Sequence, residues 1–265
     1  MISVSVVIPA KNEEGNISRL VDEVCTALDR RFIYEIIYIN DGSTDHTLDE
    51  IYRLQKNIPN LKVWSHQSSA GQSRALYHGI IFAEYPIIAT LDADGQNDPS
   101  DIPAMVEQLV ELNSISSNEA TDSHLIPSLF DTPGEKTVLI AGFRKNRKDT
   151  RVKRISSKIA NRFRAWVLKD RTPDTGCGLK VFYRDVFLRL PYFDHMHRFL
   201  PALVRRLGYD VSVHEVNHRS RHAGTSNYGT FDRLWVGIVD IMGVVWLQRR
   251  CKAVKVLQNT NKGNN

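Results

Sequence analysis

The amino-acid sequence predicts an α/β fold in which a mostly parallel central sheet is flanked by helices. Before residue 113, short apolar segments bounded by Gly, Pro, Asn or Asp alternate four times with longer segments of helical periodicity. This alternation is typical of βαβ units, whose right-handed crossovers pack helices against parallel strands. The chain has 265 residues, of which 42% are hydrophobic and 25% charged, and this is enough to bury the core of such a sheet.

The first half of the chain therefore contains four predicted strands and four predicted helices. The strands are predicted at residues 4–8, 34–39, 61–64 and 87–91. The helices, in which apolar side chains recur at spacings of three and four, are predicted at residues 17–28, 48–54, 70–83 and 102–112. The next stretch, residues 113–136, is rich in Ser, Asn and Asp, and we expect a surface insertion there.

The second half is less regular. Its predicted strands are residues 137–141, 179–183 and 211–216, and its predicted helices are residues 151–168, 195–207 and 234–247. We expect one domain over residues 1–230, a C-terminal apolar helix over residues 231–252 and a polar tail over residues 253–265. The last helix has three possible roles: a core helix, an oligomer contact, or an anchor lying in the plane of a membrane.

The net charge of +5 conceals a basic block. Residues 144–171 hold twelve Lys or Arg side chains against two acidic ones, which implies an anionic partner such as nucleic acid, lipid headgroups or a phosphorylated substrate. In the helix predicted at 151–168, the apolar face includes Phe163 and Trp166, and Arg164 belongs to the basic remainder. Such a helix either covers a core with a solvated outer face or lies on an anionic membrane.

The cysteines and the N-terminus bear on the compartment. Cys25, Cys177 and Cys251 are far apart and match neither a disulfide framework nor a zinc site, so a reducing compartment is expected. Residues 1–8 lack the basic start and cleavage site of a signal peptide, and no run of eighteen apolar residues predicts a membrane-spanning helix. We expect Cys177 to be packed in the interior rather than to act as a nucleophile.

Acidic and amide side chains follow the predicted strands and form the candidate site. Asp92, Asp94 and Gln96 leave the fourth strand in alternating positions, and hard oxygen atoms in this arrangement suit Mg²⁺ or Mn²⁺. The alternative is an acidic loop that caps the next helix. Because parallel strands end at one edge of a sheet, Glu13 and Asp41 are expected to line the same crevice.

Three motifs in the first half, VVIPAKNEE, INDGSTD and LDADGQNDP, together resemble the nucleotide-sugar domain of family 2 inverting glycosyltransferases, which have the GT-A fold. In the second half, DTGCGLKVFYRDV and RHAGTSNYG resemble the polyprenyl-phosphate sugar transferases, the dolichol-phosphate mannosyltransferase group. The resemblance covers residues 3–230. It implies transfer of a sugar from a nucleotide-diphosphate donor, of the GDP-mannose or UDP-glucose type, to a polyprenyl or dolichyl phosphate.

The resemblance also implies roles for individual residues. The catalytic residues would be Asp94, Arg144 and Arg221, and the metal ligands would be Asp92, Asp94 and Gln96. The nucleotide sugar would lie against Pro9, Ala10, Asn12, Glu13, Asp41, Gly71, Asp92 and Ala93. The acceptor phosphate would be held by Arg144, Lys153, Arg154, Ser157, Arg221 and Ser226.

The resemblance places the protein on the cytoplasmic face of a membrane, bound peripherally, because a polyprenyl acceptor lies in the bilayer. It implies that the protein docks there itself or uses a membrane-anchor partner protein. The sequence departs from the family pattern in three ways. Asn40 stands where an aspartate is frequent, Asn227 stands where a lysine is usual, and the membrane-spanning helices of many relatives are missing.

Three other functions compete with this interpretation. A transferase of the same fold could act on a hydroxyl acceptor, as in polysaccharide or lipopolysaccharide synthesis, and would need a base, for which Asp174 is the candidate. A nucleic-acid-binding protein could use the basic block, but no nucleic-acid-binding signature accompanies the charge, and no nucleic acid partner is expected. An inactive relative that only binds nucleotide is disfavoured by the complete D-A-D-G-Q sequence.

Overall fold

A seven-stranded sheet forms the centre of the computed structural model. The structure describes residues 1–114, 136–144, 164–170, 172–220 and 230–250, and of residues 230–235 only the backbone is described. The strands are β1 (Ser3–Ala10), β2 (Ile33–Asn40), β3 (Leu61–Ser65), β4 (Ile87–Thr90), β5 (Thr137–Phe143), β6 (Lys180–Tyr183) and β7 (Asp210–Glu215). Their order in the sheet is β3-β2-β1-β4-β6-β5-β7. The predicted mostly parallel sheet is thereby confirmed.

Seven helices accompany the strands in the described part of the chain. They are α1 (Ile17–Leu28), α2 (Thr47–Gln55), α3 (Gln72–Phe82), α4 (Ile102–Ser114), α5 (Arg184–Leu188), α6 (Leu200–Arg206) and α7 (Thr230–Arg249). Short 3-10 turns lie at Pro99–Asp101 and Met196–Arg198, and residues 164–168 are helical. The sequence predicts the first four helices but not α5, which is only five residues long.

Apolar residues of the strands and of the inner helix faces form the core. The buried residues of α1 recur at the predicted spacings of three and four, and β4 is buried over its whole length. Gly79 lets α3 approach the sheet closely, since a Cβ atom at this position would lie 2.4 Å from Val7 Cγ1. The predicted interior position of Cys177 is confirmed, because its side chain is fully buried.

One reversed strand decides which loops meet. β6 is antiparallel to both β4 and β5, whereas β1, β2, β3, β4, β5 and β7 share one direction. The start of β6 therefore lies at the same edge of the sheet as the carboxyl ends of β4 and β5. This arrangement brings the segment before Lys180 next to the segments that follow Thr90 and Phe143.

The residues at 164–168 correct the predicted faces of the basic helix. Arg164, predicted on the basic outer face, is only 6% exposed, whereas Trp166, predicted on the apolar inner face, is 76% exposed. Arg164 points inward because its guanidinium pairs with Asp170 at 3.3 Å and donates to the Thr172 carbonyl at 2.7 Å. The rest of the helix predicted at 151–168 lies outside the described residues.

The C-terminal helix packs on this region of the fold. The Gln248 side chain donates to the Leu168 carbonyl at 3.0 Å, Arg206 donates to the Leu247 carbonyl at 3.0 Å, and Asp240 pairs with His195 at 3.1 Å. Among the described residues, no helix has the length and apolar character needed to cross a membrane. The polar tail predicted at 253–265 and the inner part of the predicted insertion, 115–135, lie outside the described chain.

Candidate active site

The ends of β1 and β2 are joined by contacts between the loops that follow them. The Asp41 N–H donates to the Ala10 carbonyl at 2.8 Å, and the Asn12 N–H donates to Ser43 Oγ at 3.0 Å. The Glu13 N–H donates to Thr47 Oγ1 at 2.9 Å. Of the predicted neighbours of the nucleotide, Ala10, Asn12 and Glu13 are therefore brought next to the segment that begins with Asp41.

The Asp41 carboxylate fixes the loop that leads into α3. Its two oxygens accept hydrogen bonds from His66 Nδ1 (2.7 Å), Ser69 Oγ (2.7 Å), the Ala70 N–H (2.7 Å) and the Gly71 N–H (2.9 Å). Burial alone would raise the pKa of Asp41, but these donors outweigh it and hold the pKa below its ordinary value. The structure thus gives Asp41 a positioning role, and its contact with a base or ribose stays a prediction.

The same loop, together with the first residue of α3, links the end of β2 to the end of β4 through hydrogen bonds. Gly71 has a φ of 88°, a conformation that favours glycine, and it precedes α3. The next residue, Gln72, donates from Nε2 to Asp92 Oδ1 at 2.7 Å. Asp41, Gly71 and Asp92 are therefore linked through one short segment, which supports the expectation of a shared crevice.

The residues after β4 form a tight turn, here called the metal turn (residues 92–98). The Gln96 N–H donates to Asp94 Oδ1 at 3.1 Å, and the Asp92 N–H donates to Asn97 Oδ1 at 3.4 Å. Ala93 and Asp94 are buried, with Asp94 only 7% exposed. The turn places two carboxylates on residues separated by one position, at the carboxyl end of a central strand.

The electrostatics of this turn fit a divalent cation. Burial, together with the neighbouring Asp94 charge, raises the pKa of Asp92 to about 6, although Lys180 and Arg144 act in the opposite direction. A cation held by both carboxylates would remove this repulsion. The described residues contain no group of three His, Cys, Asp or Glu side chains around one point, so a diphosphate and water would have to complete the coordination.

A cationic cluster lies beside the metal turn. The Arg144 guanidinium, which follows β5, donates to both Asp174 oxygens, from Nε at 2.7 Å and from Nη2 at 3.0 Å. Both side chains are almost buried, with exposed fractions of 11% and 5%. The charges of Arg144 and Asp92 are close enough to affect each other's pKa. Arg144, predicted to bind the acceptor phosphate, and Asp92, predicted to bind the metal, therefore lie in one site.

Lys180 is a member of this cluster that sequence reasoning missed. It is the first residue of β6, is only 3% exposed, and its ammonium donates to the Cys177 carbonyl. Burial lowers the pKa of Lys180, and the charges of Asp92 and Asp174 oppose this effect. The one available signal was a lysine at the start of an otherwise apolar strand, directly after a loop with two glycines.

The loop before β6 packs closely against the metal turn. Arg164 donates to Thr175 Oγ1 as well as to the Thr172 carbonyl, and so holds this loop from the inner side. The Thr90 hydroxyl donates to the Gly178 carbonyl at 2.7 Å. A Cβ atom on Gly178 would lie 2.2 Å from Asp92 Oδ2, so only glycine leaves room for this carboxylate.

Several predicted acceptor residues lie outside the described chain. These are Lys153, Arg154, Ser157, Arg221 and Ser226. The described residues before Arg221 do meet the metal turn, since His218 forms a bridge with Asn97 and the Arg219 N–H donates to the Gln96 carbonyl at 2.9 Å. The backbone up to residue 220 thus approaches the predicted metal site.

Comparison with solved structures first defines the class of fold. Glucosyl-3-phosphoglycerate synthase from Mycobacterium tuberculosis, in complex with Mg²⁺ and UDP, superposes with a TM-score of 0.62 at 18% identity, over 93% of this chain and 79% of that one. Its complex with Mn²⁺, UDP and phosphoglyceric acid also has a TM-score of 0.62 at 18% identity, over 95% of this chain and 80% of that one. The expected GT-A fold is confirmed.

Sequence comparison then defines the family. The model of Glycosyl transferase family 2 matches residues 5–189, and the chain belongs to this family. It is similar to dodecaprenyl-phosphate galacturonate synthase of Rhizobium johnstonii (31% identity, 94% of this chain, 68% of the relative). It is also similar to undecaprenyl-phosphate 4-deoxy-4-formamido-L-arabinose transferase of Aeromonas hydrophila (28%, 85% and 63%). The chain thus spans about two thirds of the length of these relatives.

Proposed function

We propose that the protein transfers a sugar, with inversion, from a nucleotide-diphosphate sugar to a polyprenyl phosphate at a membrane surface. The two relatives described above are named for transfer to dodecaprenyl or undecaprenyl phosphate, which supports this acceptor. The observation that carries the proposal is the Arg144–Asp174 pair beside the metal turn, because it places a buried guanidinium next to two carboxylates.

The donor side follows from the charge that develops on the leaving group. As the bond between the anomeric carbon and the diphosphate breaks, negative charge accumulates on the diphosphate oxygens. Mg²⁺ or Mn²⁺, held by Asp92 and Asp94, would supply electrostatic stabilisation of this charge. Gln72 orients Asp92, and the Gln96 N–H orients Asp94, so that both carboxylates are fixed before the donor arrives. The Gln96 side chain as a third ligand stays a prediction.

The acceptor side needs positioning more than it needs a base. A lipid phosphate is already anionic near neutral pH, since its second pKa is about 6. Arg144 is oriented by Asp174 through two hydrogen bonds, and this leaves donors of the guanidinium for a phosphate oxygen. Attack by that oxygen on the face opposite the leaving diphosphate inverts the anomeric centre.

The same ion pair disfavours a hydroxyl acceptor. The base of such a transferase would be Asp174, but a carboxylate that is paired with a guanidinium by two hydrogen bonds is a weaker proton acceptor than an unpaired one. With a phosphate acceptor, by contrast, no base is needed, and Asp174 orients Arg144 toward the phosphate while the two side chains stay paired. Within the class of polyprenyl-phosphate sugar transferases, we propose more narrowly an enzyme of the dolichyl-phosphate mannosyltransferase type. Its donor would be of the GDP-mannose or UDP-glucose type.

The membrane surface is proposed from exposed apolar side chains on two elements that a hydrogen bond joins; Trp166, Met242 and Trp246 are here called the apolar patch. Trp166 is 76% exposed, and on α7 Met242 and Trp246 are 57% and 59% exposed. The Gln248–Leu168 hydrogen bond holds the two elements together. Tryptophan and arginine side chains together suit the interface of an anionic bilayer. We propose peripheral binding at the cytoplasmic face, either directly through this patch or with a membrane-anchor partner protein.

The proposal is tested by incubating the protein with polyprenyl phosphate, Mn²⁺ and a panel of GDP-hexoses, UDP-hexoses and UDP-uronic acids, followed by lipid extraction. We expect one donor to label the lipid, EDTA to abolish the labelling, and Asp94→Ala to reduce it to background. Labelling that persists with EDTA or in Asp94→Ala would contradict the metal site. If the protein hydrolyses or binds a donor of the panel but labels no lipid with it, the polyprenyl phosphate acceptor is wrong.

The variant Asp174→Asn separates the two acceptor chemistries. Because the Asn amide can still accept one hydrogen bond from Arg144, we expect less than about a tenfold loss of kcat with a phosphate acceptor. Loss of a general base would instead cost about 10²–10⁴-fold. The assay is run well below the Tm of the variant, since Arg144 loses its charge partner. A collapse of kcat in a protein that remains folded would favour the hydroxyl acceptor.

A further inference from the structure

Residues 217–219 lie across the metal turn and the 3-10 turn that follows it, and they are bonded to both. The Asn217 N–H donates to Asp101 Oδ2 at 2.8 Å, and its side-chain amide donates to Asp101 Oδ1 at 3.2 Å. His218 forms an antiparallel bridge with Asn97, and the Arg219 N–H donates to the Gln96 carbonyl at 2.9 Å. The backbone of this segment is therefore attached to the metal turn at Gln96 and Asn97.

The Arg219 side chain joins the metal turn to α1. Its Nη1 atom lies 2.7 Å from Glu23 Oε2, and its Nη2 atom lies 2.6 Å from Asp98 Oδ1. The three side chains are between 13% and 29% exposed, so these pairs are less screened than pairs on the open surface. One guanidinium thus bridges two carboxylates that belong to different elements.

The contacts of Arg219 act on the residue that orients Asp94. The Gln96 N–H donates to Asp94 Oδ1, while the Gln96 carbonyl accepts from the Arg219 N–H. Between Asp94 and Gln96 stands Gly95, with a φ of 69°, a conformation that favours glycine. Two hydrogen bonds within residues 92–98 hold the turn, and Arg219 adds one contact on its main chain and one on Asp98.

We propose that Arg219 is a positioning residue that holds the metal turn against α1 in the conformation in which Asp94 binds a divalent cation. This inference rests on the proposed function for the identity of the metal ligands. Arg219 acts through Gln96 and Asp98 and is not itself a ligand. Residues that orient metal ligands in this way typically account for about 10–100-fold in metal affinity.

The test measures Mn²⁺ binding by electron paramagnetic resonance, without nucleotide and with saturating UDP or GDP, because a diphosphate is expected to complete the coordination. It uses the wild-type protein and variants whose folding is checked by thermal unfolding. Arg219→Met removes both ion pairs, and we expect Mn²⁺ affinity to fall about tenfold. Arg219→Lys, which can keep one pair, is expected to lie between Arg219→Met and the wild type. The matched control is Arg19→Met, because Arg19 pairs with the same Glu23 at 2.8 Å, on the exposed side of α1. It is expected to bind Mn²⁺ like the wild type.

A second variant keeps the test decisive if Arg219→Met does not fold. Glu23→Gln leaves the pair of Arg219 with Asp98 intact and removes only the connection to α1, so a smaller loss of Mn²⁺ affinity is expected. Arg19→Met shows how much of that loss comes from the Arg19–Glu23 pair. If Arg219→Met folds and binds Mn²⁺ like the wild type, the positioning role is wrong. If Arg219→Met does not fold, the same conclusion follows from a folded Glu23→Gln that binds Mn²⁺ like the wild type.

These outcomes are separate from those of the transfer assay. A wild-type protein that binds Mn²⁺ but labels no polyprenyl phosphate would contradict the proposed acceptor, while the role of Arg219 would stand if Arg219→Met still weakened Mn²⁺ binding. A wild-type protein that binds Mn²⁺ neither alone nor with UDP or GDP would contradict both the metal site and the role of Arg219.

Discussion

Gly178 and Asp92 lie so close together that a side chain at position 178 has no room. A Cβ atom there would be 2.2 Å from Asp92 Oδ2 and 2.3 Å from Asp92 Cγ. Gly178→Ala is therefore expected to displace the carboxylate, and to lower Mn²⁺ affinity and sugar transfer at least about tenfold. The control is Gly237→Ala on α7, where a Cβ atom would meet no heavy atom within 4 Å. Equal Mn²⁺ affinities in the two variants would contradict the packing of Gly178 on Asp92.

The pKa of Asp92 makes a second prediction at the scale of single residues. Since the folded protein raises this pKa from 3.8 to about 6, it binds the proton more tightly than the unfolded chain does. The metal-free protein therefore loses stability as the pH rises from about 4 to about 6, by at most about 3 kcal/mol. Asp92→Asn removes this cost, so we expect a higher Tm than that of the wild type at pH 7.5 and a similar Tm at pH 4.

Thermal unfolding of the metal-free proteins at both pH values checks this prediction, with Asp22→Asn on the exposed face of α1 as the control. Asp92→Asn is also expected to weaken Mn²⁺ binding, because the site loses one carboxylate. Binding by the wild type is expected to weaken below about pH 6, where Asp92 becomes protonated. A lower Tm of Asp92→Asn at pH 7.5 would show that the carboxylate is stabilising.

At the scale of elements, the helical residues at 164–168 show where sequence periodicity misleads. The apolar spacing assigned Trp166 to the inside and Arg164 to the outside, and the structure shows the reverse. The reason is Asp170, which is completely buried and pairs with Arg164. The spacing of apolar residues gives no information about such an ion pair. A buried carboxylate with a guanidinium partner thus determines the face that packs inward.

The exposed tryptophans lead to a prediction about membrane binding. We expect the protein to sediment with anionic liposomes at low salt, and less at high salt, because the exposed Arg249 and Arg250, which follow Trp246 in the chain, contribute to binding. The double variant Trp166→Ala/Trp246→Ala is expected to sediment several-fold less than the wild type. Tyr52→Ala, at a residue of α2 that is 48% exposed, is the control and should sediment like the wild type. Wild-type protein that stays in the supernatant at low salt would contradict the docking surface.

At the scale of the whole molecule, the sequence predicted the local units and not their final arrangement. The four βα units and the two carboxylates of the metal turn were recognisable because each depends on neighbouring residues. Lys180 was missed, and the hydrogen bond from Gln72 to Asp92 was not predicted, because both relations to Asp92 depend on long-range pairing. Arg144, Asp174 and Asp92 meet only because β6 inserts between β4 and β5, and no local pattern encodes that insertion.

The late insertion of β6 has a consequence for synthesis on the ribosome. When α4 has emerged, β1 to β4 can already pair, but the outer edge of β4 stays open until Lys180–Tyr183 has been translated. Unpaired apolar edges promote association between chains. A fragment of residues 1–114 is therefore expected to aggregate on expression, and one of residues 1–220, in which β6 covers β4 and β7 covers β5, to be more soluble, which fractionation of lysates checks. The nascent chain has a vulnerable interval that opens with β4 and ends only when β7 has joined the sheet.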